Sequence, residues 1–155
     1  MDADDELFGA LDGIAGTARL LVACGFDGAL AAPTDDPSDA RAEQGSSGAL
    51  NVLVACSDTV VVVVSGRPAD EVSELMFLSG AKGGLRVLRP EELPELREEL
   101  GATGLVAVGA GEPVVGAARP GDIVVGVDGE PGDYEVEDVE DVAGLLEELA
   151  NLRRA

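Results

Sequence analysis

The chain has 155 residues, 46% of them hydrophobic, and this size and composition predict one globular domain with its own core. Its 31 acidic and 10 basic residues give a net charge of −21, which disfavours binding to nucleic acid or an anionic membrane. The lack of histidine excludes Ser-His and Cys-His catalysis within the chain. Two explanations of the acidity stay open, a solvated or salt-adapted surface and a basic protein partner.

The two cysteines and the amino-terminal residues indicate the cellular compartment in which the protein is expected. Cys24 and Cys56 each end an apolar run without a CxxC partner, so both are interpreted as small buried hydrophobic residues in a reducing environment. The first residues are acidic where a signal peptide is basic, and no apolar run approaches the ~20 residues of a membrane span. We therefore expect a cytoplasmic protein without a membrane span.

Strand and helix patterns alternate along the chain. A leading helix is predicted within residues 1–18, and residues 33–48 form a loop-rich segment. Continuous apolar runs predict buried parallel strands at 20–24, 59–64, 105–108 and 122–127, with short strands at 85–88 and 134–136. Further helices are predicted at 49–56, 68–78, 90–100 and 139–152. This order predicts a single three-layer α/β domain over residues 1–155, with its site beyond the carboxyl ends of the strands.

The first strand leads into the most informative segment, Gly25-Phe26-Asp27-Gly28-Ala29-Leu30. It resembles the Asp-Phe-Asp-Gly-Thr-Leu signature of haloacid dehalogenase (HAD) phosphatases, in the trehalose-6-phosphate phosphatase branch. The second strand leads into Ser65-Gly66-Arg67-Pro68, which resembles the branch's second motif, where a Ser or Thr holds the substrate phosphate. Residues 96–109 and 125–149 resemble later parts of the family in the expected order. The resemblance implies a HAD-like, Rossmannoid three-layer sandwich with a mostly parallel sheet.

The chain departs from this family at the residues that carry the chemistry. In active relatives the first Asp of the signature attacks phosphorus, the second protonates the leaving group, and a later Asp helps to hold Mg²⁺. The nucleophile position is Gly25, which has no atom for the covalent step, while the second position is retained as Asp27. Ala110 and Gly111 stand where the metal-binding Asp-Asp pair is expected. We therefore predict no catalytic residue, metal site or cofactor, and we interpret Asp27 as a carboxylate that holds its loop.

A phosphate-binding remnant is predicted from Ser65, Arg67 and Lys82, with weak phosphate binding. Arg67 also fits an internal ion pair, and Lys82 also fits an ordinary Gly-rich turn. If Lys82 is the lysine of the family's third motif, only a few residues remain for the cap domain between the second and third motifs. The resemblance then implies a domain without a cap.

Two hypotheses about function follow. The first is a catalytically inactive HAD-like pseudophosphatase that acts as a protein-binding, regulatory or assembly subunit, with a protein partner or as a homo-oligomer. Its contact surfaces are predicted around Phe26, Ala29 and Leu30, and at Met76-Phe77-Leu78. The alternative is a residual trehalose-6-phosphate phosphatase, or a domain that senses phosphate or a sugar phosphate, and only a residual phosphatase would imply Mg²⁺.

Overall fold

The computed structural model describes residues 3–26, 29–31, 44–56, 58–65, 85–109, 122–127 and 133–154. Its strands are β1 (Leu20–Gly25), β2 (Thr59–Val64), β3 (Leu85–Leu88), β4 (Gly104–Val108), β5 (Ile123–Val127) and β6 (Tyr134–Val136). The described helices are α1 (Ala3–Ile14), α2 (Gln44–Ala55), α3 (Leu93–Leu100, after a 3₁₀ turn at Pro90–Glu92) and α4 (Val139–Arg154). No helix among these residues is long and apolar enough to cross a membrane.

The six strands form one sheet in the order β3-β2-β1-β4-β5-β6, and every neighbouring pair is parallel. All four main strands predicted from the apolar runs are therefore confirmed, as are the two short ones. The chain builds outward from β1 through β2 to β3, and then returns to β1's other side with β4. This reversal places a topological switch point between β1 and β4, and ligands of open α/β sheets bind beside such a point, at the carboxyl ends of the strands.

Helices cover both faces of the sheet. Leu20, Val22 and Cys24 belong to an apolar cluster with residues of α1, α2 and α4. The alternate residues Leu21 and Ala23 belong to a second cluster with residues of α3. Since successive side chains of a strand point to opposite faces, these two clusters are the two interfaces of a three-layer sandwich. The predicted α/β architecture is confirmed, and the helix expected at 68–78 lies outside the described residues.

Helix α2 begins at Gln44, so the expectation that the loop-rich segment extends to residue 48 is wrong at its end. The physical reason is packing against α4. A Cβ atom at Gly45 would lie 3.3 Å from the Cβ of Ala143 and 2.7 Å from Oε1 of Glu147, so the glycine permits a close approach of the two helices. Burial against α4 thus outweighs the low helix propensity of glycine and serine in this turn.

Candidate functional site

Two sequence-predicted positions, Gly25 and Ser65, lie at neighbouring strand ends on the carboxyl edge of the sheet, together with Gly109. Gly25 ends β1 opposite Val64, and Ser65 directly follows β2. The Ser65 N–H donates to the carbonyl of Leu88 at 2.8 Å, and the residue is buried. Gly109 follows β4 on the other side of β1, with its N–H 2.9 Å from the carbonyl of Val125. The structure therefore brings Gly25, Ser65 and the start of the Gly109 segment to the switch point.

The remaining predicted site residues, Asp27, Arg67, Lys82, Ala110 and Gly111, lie outside the described residues. The stretch in which the family places its cap, and the Met76-Phe77-Leu78 surface, also lie outside them. The phosphate-binding remnant and the absence of a cap therefore stay predictions.

The described strand ends offer few groups for chemistry. Gly25 contributes only backbone, β1 is buried along its whole length, and Ser65 supplies a hydroxyl at the end of β2. Within the described part of the chain, no group of three or more His, Cys, Asp or Glu residues is placed to hold a metal ion. A Mg²⁺ ion needs several oxygen ligands at short distances, so the described ends of β1, β2 and β4 do not fit it.

The turn after β1 is part of the core. Phe26, Ala29 and Leu30 are at most 1% exposed, and they pack in the cluster beneath α1, α2 and α4. The Phe26 carbonyl accepts the N–H groups of Leu30 and Ala31 at 3.1 and 2.9 Å, so the chain folds back tightly here. The expectation that Phe26, Ala29 and Leu30 form an open contact surface is therefore wrong, because these side chains are already packed.

At the opposite, amino edge of the sheet, Arg153 joins three parts of the chain. Its guanidinium donates to the carbonyls of Ala15, Thr17 and Asp58 at 2.9, 2.6 and 2.8 Å. Its Nε donates to Oγ1 of Thr59 at 2.7 Å. The last turn of α4 is thereby fixed to the α1–β1 turn and to the start of β2.

A buried ion pair, which sequence reasoning missed, lies at the same edge. The Arg97 and Asp122 side chains are only 4% and 3% exposed. Asp122 Oδ1 accepts from Arg97 Nη2 at 3.0 Å and from the Leu105 N–H at 3.2 Å. The helical spacing of the sequence could have indicated this burial. Arg97 lies in the apolar stripe formed by Leu93, Leu96 and Leu100, which faces the sheet.

Residues of the described part of the chain line two clefts at the amino edge. One has a volume of about 690 Å³ and is lined by residues including Thr17, Val52, Ala55, Cys56 and Arg153. The other has a volume of about 470 Å³ and is lined by residues of α1 and of the β4, β5 and β6 starts. Both lie away from Gly25, so neither is the site that the motifs predicted.

The two cysteines differ in environment. Cys24 is fully buried in β1, as predicted, and burial raises the pKa of its thiol to about 12. Cys56 is only half-buried, and its thiol donates to the Val52 carbonyl at 3.3 Å. The interpretation as a buried residue therefore does not hold for Cys56, because it lies at the end of α2 beside the larger cleft.

Comparison with known proteins identifies the fold. No protein-family model matches the chain, and a search of curated proteins finds no match. Among solved structures, trehalose-6-phosphate phosphatase from Aspergillus fumigatus aligns with a TM-score of 0.69 and 12% identity, over 97% of this chain and 98% of that chain. The C-terminal domain of the C. albicans trehalose-6-phosphate phosphatase aligns with a TM-score of 0.70 and 11% identity, over 97% of each chain.

A third neighbour is 3-deoxy-D-manno-octulosonate 8-phosphate phosphatase from Moraxella catarrhalis, whose structure contains magnesium, phosphate and KDO. It aligns with a TM-score of 0.61 and 16% identity, over 96% of this chain and 94% of that chain. Likeness at such low identity concerns the fold and carries no activity with it. The chain therefore has a HAD-like α/β fold, similar to that of HAD superfamily phosphatases.

Proposed function

We propose that this chain is a catalytically inactive HAD-like domain, a pseudophosphatase that acts through protein contacts as a regulatory or assembly subunit. The observation that supports this proposal is the position of Gly25 at the carboxyl end of β1, beside the switch point between β1 and β4. The resemblance assigns the phosphorus-attacking carboxylate to this position. Glycine has no side-chain atom that can form the covalent intermediate.

The expected metal site is impaired in the same way. Ala110 and Gly111 replace the carboxylates that the resemblance assigns to Mg²⁺ binding. Without the nucleophile and these ligands, the domain lacks both the attacking group and the charge that stabilises a transferring phosphoryl group. We therefore propose no metal cofactor and derive no catalytic step.

The well-packed core supports a binding role, which requires a stable fold but no catalysis of phosphoryl transfer. Strands β1, β4 and β5 are buried throughout, and both faces of the sheet carry packed apolar clusters. A protein partner or a second copy of the chain is the kind of ligand that such a domain can bind through its surface.

The test is turnover of trehalose-6-phosphate and of an aryl phosphate by the purified chain with Mg²⁺, beside a Ser65→Ala control. We expect no turnover above that control, and no tight Mg²⁺ binding by calorimetry. The proposal is overturned if the unmodified protein hydrolyses either substrate well above Ser65→Ala. Tight Mg²⁺ binding that Asp27→Asn abolishes would equally overturn it.

A second candidate function is the sensing of phosphate or a sugar phosphate without turnover. It is supported by the position of Ser65 directly after β2 at the carboxyl edge of the sheet, where the resemblance assigns the hydroxyl that holds the substrate phosphate. Calorimetric titration of inorganic phosphate and trehalose-6-phosphate into the unmodified chain and Ser65→Ala tests it. Saturable binding that is lost in Ser65→Ala would favour this candidate, and equal heats from the two proteins would exclude it.

A further inference from the structure

Helix α1 carries an exposed aromatic side chain. Phe8 is 39% exposed, and within the described part of the chain it is the only exposed large hydrophobic side chain. Its neighbours Leu7 and Leu11 are at most 2% exposed and belong to the core. Full burial of a Phe side chain contributes about 1.5–3 kcal/mol, so a partner that covers this ring gains part of that free energy.

The surface around this ring is acidic. Helix α1 has four acidic residues and no basic one. Glu6 and Asp12 are exposed, and Asp12 lies one helical turn after Phe8 on the same side of the helix. Helix α1 packs against α4, on which Asp141 and Glu147 are also exposed. The face therefore combines an apolar anchor with negative charge on both helices.

The centre of the exposed α1 face is open. Gly9 and Gly13 are exposed, and an added Cβ at either position would meet no atom within 4 Å. The two glycines are four residues apart, so they lie on one side of α1. The cleft of about 470 Å³, lined in part by Ala10, Gly13 and Tyr134, adjoins this side. A second helix can therefore come close to the α1 backbone and reach both the Phe8 ring and the carboxylates.

We propose that the exposed face of α1, defined by Glu6, Phe8, Gly9, Asp12 and Gly13, docks a basic amphipathic helix of a partner protein. The apolar stripe of this partner covers Phe8, and its Lys or Arg side chains pair with Glu6 and Asp12. Glu6 and Asp12 are six residues apart, which is about 9 Å along α1. Basic residues six or seven positions apart on a partner helix match this spacing.

Charge determines the class of partner. Because the chain carries −21, it repels a second copy and an anionic membrane, and it attracts a basic segment. All the acidic helices contribute to this long-range attraction, but among the described ones α1 alone exposes a large hydrophobic side chain. Attraction between opposite charges raises the association rate, and the aromatic ring fixes where the partner settles. The inference deepens the proposed role in protein contacts and rests on it.

The test uses a defined probe and two matched glutamates. The probe is a fluorescein-labelled peptide of about 18 leucine and lysine residues in amphipathic helical order, beside a peptide of the same composition in scrambled order. Fluorescence anisotropy with the full chain, at low and high salt, gives the dissociation constants. Glu6 on α1 and Glu98 on α3 are both exposed, so Glu6→Gln and Glu98→Gln change the net charge equally, and only Glu6→Gln alters the proposed surface.

We expect Phe8→Ser to weaken binding of the amphipathic peptide by about tenfold, and Phe8→Leu, which keeps most of the apolar area, by no more than about threefold. Glu6→Gln should weaken it by about threefold and Glu98→Gln by no more than about 1.5-fold. Salt should weaken it by screening the charges.

Several results would overturn the proposal. One is a peptide that does not bind at concentrations up to about 200 μM. Others are unchanged binding by Phe8→Ser, or equal losses in the two glutamine variants. Equal affinity for the scrambled peptide would also overturn it, because it would show a general attraction of polycations to the acidic surface.

Hydrogen exchange locates the contact. Bound peptide should slow exchange in residues 3–14 and leave residues 93–100 of α3 unchanged, and the opposite pattern would contradict the proposal. Sedimentation equilibrium tests the other occupant, since self-association that Phe8→Ser abolishes would assign the face to a second copy. Phosphate release is measured separately. Turnover would overturn the proposed function without deciding the docking site, and absence of peptide binding would do the reverse.

Discussion

Arg97 on α3 and Asp122 at the start of β5 form a bidentate ion pair with almost no contact with water. Removing one partner of such a pair leaves a buried charge without compensation. We therefore expect Asp122→Asn to lower the free energy of unfolding by about 3–5 kcal/mol in urea denaturation. Glu98→Gln, on an exposed position of the same helix, is the control and should change it by no more than about 0.5 kcal/mol.

Removing both charges of this pair should be less harmful than removing one. Arg97→Met combined with Asp122→Asn takes away the unpaired cation, so the double variant should be more stable than Asp122→Asn alone. A double variant that is as unstable as the sum of the two single variants would show that the pair contributes no coupling energy.

The hydrogen bonds of the Arg153 guanidinium should contribute to the free energy of unfolding. Arg153→Met removes donors to three carbonyls and to the Thr59 hydroxyl, and we expect a loss of about 2–3 kcal/mol. Arg153→Lys keeps the charge without the planar fork and should recover little of that loss. Hydrogen exchange should accelerate first at the starts of β1 and β2. Full rescue by lysine would mean that charge, and not geometry, matters at this position.

Two glycines should respond in opposite directions to alanine. A Cβ at Gly104 would lie 3.0 Å from Cγ2 of Thr17 and 3.1 Å from Cγ1 of Ile14, so Gly104→Ala should destabilise the fold. Gly48 has open space on a helix, so Gly48→Ala should stabilise it by about 0.5–1 kcal/mol. Thermal unfolding of the two variants checks the opposite signs.

The different environments of Cys24 and Cys56 predict different rates of reaction with a thiol reagent. Near pH 8, a thiol reagent should modify half-buried Cys56 rapidly and Cys24 only as the protein unfolds, because burial raises the Cys24 pKa to about 12. Mass spectrometry of the labelled peptides distinguishes the two sites. Equal labelling rates would contradict the burial of β1.

The same raised pKa predicts a stability change in alkali. The folded state holds the Cys24 thiol neutral, whereas the unfolded chain ionises it near its ordinary value of 9.0. The contribution to stability is therefore complete below about pH 9 and is lost as the pH rises toward 12. Above about pH 9, the unfolding free energy of the unmodified chain should fall more steeply than that of Cys24→Ala. Parallel curves for the two proteins would contradict this.

Reversion of the nucleophile alone should not create a phosphatase. Gly25→Asp supplies the attacking carboxylate, but the positions at Ala110 and Gly111 still lack metal ligands. We expect Mg²⁺-dependent turnover only after Ala110→Asp and Gly111→Asp are added to Gly25→Asp. The assay is release of phosphate from an aryl phosphate, and turnover by Gly25→Asp alone would show that metal ligands come from elsewhere in the chain.

Much of the fold was predictable because the strands are continuous apolar runs. Residues 59–64 and 105–108, for instance, are strands almost to the residue, and Gly101 caps α3 in the left-handed conformation with a φ of 63°. The start of α2 was not predictable, since its helicity depends on contact with α4, distant in sequence. The prediction of an open contact surface at Phe26 was wrong for a similar reason, because the local sequence does not show that this turn folds back into the core.

The polar contacts that hold the sheet together lie at its amino edge, so residues at the carboxyl edge can be substituted without disturbing them. The Thr17 and Thr103 hydroxyls form a hydrogen bond there. The Arg97–Asp122 ion pair and the hydrogen bonds of Arg153 lie at the same edge. These contacts secure the starts of the strands, whereas the motif residues follow the ends of the strands. Substitutions at the motif positions therefore spare the contacts that hold the sheet together. Such a scaffold can lose a reaction centre over generations and still fold, which leaves its outer surfaces free to acquire another use.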